Sequence, residues 1–158
     1  MADTNKLQIV VDDGSQRVPI LNRAGDEIGV FYFRPTDLAI IRRYNEAISK
    51  FDEVVAPLEG IDIGADGTAA KGDSAAIDAL NEAEKKLFEI CDFIFDGNMS
   101  EAFFGKMHPF SPVNGVFYCE IALEKVGAFI AAQFEEETKQ ISKRLNKYVG
   151  QYSKGKKK

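Results

Sequence analysis

From Gly115 to Phe134 this chain is apolar around most of a helical circumference; from Lys139 onward only a narrow apolar stripe remains, set between basic residues. A helix apolar on all sides must be buried on all sides or shared with a partner, so this pattern limits what the chain can fold into. Residues 139–158 carry eight bases (Lys139, Lys143, Arg144, Lys147, Lys154, Lys156, Lys157 and Lys158) and no acid. Of 20 Lys+Arg and 25 Asp+Glu in the chain, this leaves 12 bases against 25 acids in residues 1–138, a net of −13 facing +8. An acidic body with a basic helical handle suits docking or assembly better than covalent chemistry.

The 158 residues are enough for one domain with a real core. Charges interrupt every apolar run well short of the ~20 residues a membrane helix needs, so no membrane span is expected. The N-terminus, Met1-Ala2-Asp3-Thr4-Asn5-Lys6, is polar and lacks an apolar signal region, which leads to the expectation of a cytoplasmic protein. Cys91 and Cys119 both fall on apolar helical positions and are expected to be buried free thiols.

Residues 7–33 have the signature of β structure. Leu7, Ile9 and Val11 alternate before the turn Asp12-Asp13-Gly14-Ser15, Val18, Ile20 and Leu21 suggest a second strand, and Pro19 restricts that strand to an edge. After the turn at Asn22 to Asp26, Ile28, Val30 and Tyr32 face one way and Gly29, Phe31 and Phe33 the other. Arg34-Pro35-Thr36-Asp37 then opens a helix, with Thr36 as its expected cap. Its apolar stripe is Leu38, Ile41, Tyr44, Ile48, Phe51, Val55 and Leu58, with Arg42, Arg43, Glu46, Lys50 and Glu53 opposite. Residues 59–73, rich in glycine, are expected to be a loop. A second helix starts at Ser74 and ends at Asp96-Gly97-Asn98; a short helical turn at 100–105 and an irregular connector at 106–114 follow, then the last helix. The expected fold is α+β, mainly α: a small N-terminal antiparallel β meander (7–33) followed by three main helices (about 36–56, 74–96 and 115–138), the last one long. Residues 1–138 would form one globular domain and 139–158 a basic helical extension with a lysine-rich tail.

Catalytic constellations are missing from the sequence. The single histidine, His108, precedes Pro109 in the connector; the cysteines form no CxxC; and neither GxxxxGK[ST] nor GxGxxG occurs. Asp62, Asp66 and Asp73 lack the glutamate and ligand alternation of a calcium loop. No catalytic residue, no metal and no cofactor is expected, and the chain is read as a non-enzyme.

Two stretches carry a family resemblance. One is Val30-Phe31-Tyr32-Phe33-Arg34-Pro35-Thr36-Asp37 with the following helix bearing Arg43, Tyr44, Ile48 and Phe51. The other runs from Phe93-Ile94-Phe95-Asp96-Gly97-Asn98-Met99-Ser100-Glu101-Ala102-Phe103-Phe104-Gly105 into a proline-containing connector and a long helix with a lysine-rich end. Together, over roughly 28–56 and 87–158, they resemble the tail assembly chaperones of long-tailed bacteriophages of Gram-positive hosts, with Phe95-Asp96-Gly97 standing where that family often has Phe-Gly. The resemblance implies a non-catalytic protein of the host cytoplasm, absent from the mature virion. It would bind the tape measure protein, keep it soluble and help recruit the tail tube protein. Members often have a longer, frameshifted form, with which the terminal lysines are compatible.

The residues themselves nominate two surfaces. Phe103, Phe104, Met107, Phe110, Phe117, Tyr118, Phe129 and Phe134 concentrate aromatics and a pliable methionine around the connector and last helix, as a candidate partner-binding set. Ile141, Leu145, Tyr148 and Tyr152 continue the stripe, as a candidate for self-association or docking. A homo-oligomeric structural component of a phage particle is the alternative function. Nucleic-acid binding through the basic tail ranks last, because apolar residues interrupt the basic track.

Overall fold

The computed structural model describes residues 7–58 and 74–156, without the side chains of Pro57, Ser74 and 148–156. The expected 59–73 loop, its three aspartates and the last two lysines lie outside the described residues. The fold is α+β and mainly α. Strands β1 (Gln16–Leu21) and β2 (Glu27–Phe33) form an antiparallel hairpin. Helix α1 (Ala39–Ala47) passes through a 3₁₀ turn (Ile48–Lys50) into α2 (Phe51–Val55) and a second 3₁₀ turn (Ala56–Leu58). Then come α3 (Ser74–Phe95), α4 (Met99–Phe104), a two-residue hairpin β3 (Pro112–Val113) and β4 (Val116–Phe117), and α5 (Tyr118–Lys156).

The meander is one strand shorter than expected. Leu7 to Val11 form no strand and their side chains are exposed. Pro19 supplies the physical reason. It pairs with Val30, whose carbonyl accepts from Asn98 on the side away from β1. The missing Pro19 N–H therefore falls on the free edge of β1, where a third strand would need it.

The opposite edge of β2 is closed by a side chain. Asn98 Nδ2 donates to Val30 O (2.9 Å), and the Tyr32 N–H donates to Asn98 Oδ1 (2.7 Å). One amide thus copies the donor–acceptor pair of a neighbouring strand. Asn98→Ala would strand both backbone groups in a half-buried site and should lower stability by about 2 kcal/mol in urea denaturation. Asn98→Asp should also destabilise, because a carboxylate oxygen would then face the Val30 carbonyl. A loss below about 0.5 kcal/mol in both variants would contradict this role.

Asn98 is positioned by the end of α3. Asp96 adopts φ +46°, its N–H donating to Phe93 O and that of Gly97 to Asp92 O (3.3 Å each), which is the Schellman pattern. Asp92 in turn accepts from the Ser100 N–H (2.8 Å) and hydroxyl (2.6 Å) across the start of α4. Gly97 has no room for a side chain, since a Cβ there would lie 2.4 Å from Tyr32 O.

The Arg34 to Asp37 turn ties these parts together. Arg34 bonds Asp96 at 2.7 Å and lies 3.5 Å from Asp37, while Arg43 meets Asp37 at 3.2 Å and donates from Nε to Ile94 O at 2.8 Å. Two expectations are corrected here. Thr36 does not cap α1: the N-cap is Leu38, without a side-chain bond, and the Asp37 carboxylate just before it accepts the Ala39 N–H at 2.9 Å. Arg43 turns inward because the last carbonyls of α3 offer an acceptor. The Ala39 N–H first, then Arg43, hold the Asp37 carboxyl below its ordinary value. Its contribution to stability is therefore fully present above the ordinary carboxylate value and lost as pH falls below that value through the lowered one.

The core is aromatic. Phe31 and Phe33 stack at 3.9 Å, with Phe95 and Phe103 edge-on to Phe31 at 6.1 and 5.7 Å. Cys91 and Cys119 are buried and free, and burial raises their thiols to about 12 and about 11. The connector expected at 106–114 is irregular only in its first part. Pro112–Val113 pairs with Val116–Phe117 across Asn114 (φ +54°) and Gly115 (φ +83°), positive at both turn positions as a type I′ hairpin requires. Helix α5 consequently starts at Tyr118, with Glu120 Oε2 accepting the Phe117 N–H at 2.7 Å as in a capping box.

Candidate functional site

The apolar stripe named from the sequence is half-buried at Phe51, Val55 and Leu58 but open from Leu38 to Ile48, and the buried residues of α1 lie outside it. Ile40 and Ala47 face the core, while Ile41 and Ile48 remain 56% and 46% exposed, with Tyr44 and Leu38 also open. Ile40, Ile41, Tyr44 and Ile48 form one wall of a groove of about 620 Å³ between α1 and α5. Ile94 and Phe95 of α3 floor it, and Leu123, Gly127 and Ile130 of α5 form the other wall. Among its described lining residues, Glu124 alone is charged. Gly127 widens the groove: a Cβ built there meets no atom within 4 Å. The site is an open apolar trough, the form in which amphipathic helices are received.

The eight residues nominated from sequence do not form one patch. Phe103, Phe104 and Phe110, three of the candidate partner-binding residues, are buried in the core. Phe104 stacks on Phe88 at 5.7 Å and takes the edge of Tyr118 at 5.8 Å. Phe110 is sealed by the edge of Phe117 at 5.3 Å. Phe129 is half-buried beside Phe33, and with Phe103 it lines a smaller hollow of about 230 Å³ between the hairpin and α5. Phe134 is half-buried, and only Met107 and Phe117 are more than a third exposed. The sequence did carry a sign of this groove. Ile41, Tyr44 and Ile48 form a stripe on a helix whose core-facing residues are Ile40 and Ala47, so the helix has more apolar surface than one contact covers.

Beyond the body α5 stands clear. Gln16 Nε2 donates to Gln133 Oε1 at 3.3 Å, and from Glu135 to Lys147 every side chain is exposed. Ile141 and Leu145 are 51% and 57% exposed, whereas the side chains of Tyr148 and Tyr152 lie outside the described set. Glu135 meets Lys139 at 3.4 Å, a surface pair of small energetic weight.

His108 is held locally. Its Nδ1 accepts the Phe110 N–H at 3.1 Å and its Nε2 lies 3.6 Å from Glu84 Oε2. Among the described residues no group of three or more His, Cys, Asp or Glu is placed to hold a metal, and no helix is long and apolar enough to cross a membrane. Fold and groove together define a small, mainly helical protein with an open apolar trough and a projecting basic helix. No family model, curated protein or solved structure matches the chain.

Proposed function

We propose that this protein is a non-catalytic phage tail assembly chaperone. It receives amphipathic helical segments of the tape measure protein, keeps that chain soluble in the host cytoplasm and helps recruit tail tube subunits. The α1–α5 groove carries this reading, because it exposes Ile41, Tyr44, Ile48, Leu123 and Ile130 around a gap at Gly127. A second observation supports it. The two sequence stretches that resemble the chaperone family pack on each other, Arg34 against Asp96 and Asn98 against β2, and so frame one end of α1.

Co-expression with the tape measure protein tests the proposal. The soluble fraction of that partner should rise, and Gly127→Leu, which fills the groove from an unobstructed position, should weaken its capture about tenfold or more. An unchanged soluble fraction, or capture indifferent to Gly127→Leu, would count against it. The alternative of a structural particle component draws on the exposed Ile141 and Leu145 stripe. Mass spectrometry of purified virions decides between them, since a chaperone is absent from finished particles.

A further inference from the structure

The groove and the projecting part of α5 lie on one face of the same helix. At ~100° per residue, Leu123, Gly127, Ile130, Phe134, Ile141 and Leu145 fall within an arc of ~60°, roughly 90° from the core positions Ala122 and Val126. From Leu123 to Leu145 this face runs about 33 Å. Its near half belongs to the groove and its far half is bare.

Charge is divided along the same axis. The near half of α5 carries Glu120, Glu124, Glu135, Glu136 and Glu137 against Lys125; from 139 to 147 come Lys139, Lys143, Arg144 and Lys147 with no acid. Two copies aligned in parallel would lay bases on bases. Antiparallel alignment about Phe134 instead sets residues 139–147 of each copy beside residues 121–129 of the other, where Glu124 and Lys125 balance, on a body whose residues 1–138 carry a net −13.

We infer that the groove between α1 and α5 is filled by the distal half of α5 from a second copy, antiparallel, in a two-fold pair centred near Phe134. In that register Ile141 of one copy lies opposite Gly127 of the other, and Leu145 opposite Leu123. The missing Gly127 side chain leaves the hole into which a branched residue fits, as knobs enter holes in paired helices. The pairing depends on no client, and because it covers the same apolar faces, it and client binding exclude each other.

The test uses the full chain without any client. Light scattering at ~100 µM should give twice the 17.5 kDa chain mass. Leu145→Asp, at an exposed position, should raise the dissociation constant roughly 100-fold with an unchanged circular dichroism spectrum. Orientation is read by oxidising single-cysteine additions, with Cys91 and Cys119 protected by burial. A mixture of Gly127→Cys and Ile141→Cys chains should yield a disulfide-linked dimer that neither variant yields alone. A wild-type monomer at that concentration, a mixture that fails to cross-link, or Ile141→Cys cross-linking with itself would overturn the inference.

Discussion

Gly29→Ala is expected to cost about 3 kcal/mol or to prevent folding, although one methyl group is the only change. Gly29 lies in β2, where α4 presses against the strand. A Cβ built there would lie 2.1 Å from Ala102 O and 2.8 Å from Ala102 C. Both neighbours are backbone atoms, so no side-chain rotation relieves the overlap. Moving α4 outward would pull Phe103 away from Phe31 and strain the Asn98 bonds to β2, since Asn98 immediately precedes α4. The control is Gly127→Ala on α5, where open space surrounds the new methyl and the helix gains about 0.5–1 kcal/mol from improved propensity. Urea denaturation of both variants checks the contrast. A Gly29→Ala chain within about 1 kcal/mol of wild type would show that α4 is not seated as described.

Phe31→Ala is expected to cost about 4 kcal/mol. The ring is 1% exposed and lies between Phe33, Phe95 and Phe103. Its removal loses the transfer free energy of the ring and leaves a void whose walls come from the hairpin, α3 and α4 at once. Those walls are locked to one another by Arg34–Asp96 and by Asn98, so the cavity has little freedom to collapse. Phe117→Ala, at a ring 37% exposed over Phe110, should lose much less, about 1 kcal/mol. Equal losses at the two positions in thermal or urea unfolding would refute the assignment of Phe31 to the centre of the core.

Much of the architecture was legible from short-range rules. Period-two alternation marked β2 with Phe31 and Phe33 on one face, period 3.6 marked α1, α3 and α5, and Asp96-Gly97-Asn98 marked the end of α3. The departures have local causes. Leu7 to Val11 alternates like a strand but finds no donor at Pro19. Asn114-Gly115 is itself a hairpin signal, and it moves the start of α5 to Tyr118. Arg43 reads as a solvent-facing cation until the carbonyl ends of α3 are brought beside it.

The candidate groove was less legible than the fold. Aromatic density pointed to residues 103–134, yet rings are the side chains a small core takes first, so Phe103, Phe104 and Phe110 are enclosed and the exposed apolar wall falls to Ile41, Tyr44 and Ile48. Periodicity says which residues share a helix face; it does not say how much of that face a neighbour covers. The amino-acid order alone determined the main helices and the β1–β2 hairpin, the apolar length of α5 and the split between acidic body and basic helix, because these follow from spacing along one chain. Tertiary structure alone decided that α1 and α5 stand apart around Gly127 and that one asparagine closes the sheet, because both depend on distances between segments that the order of residues does not encode.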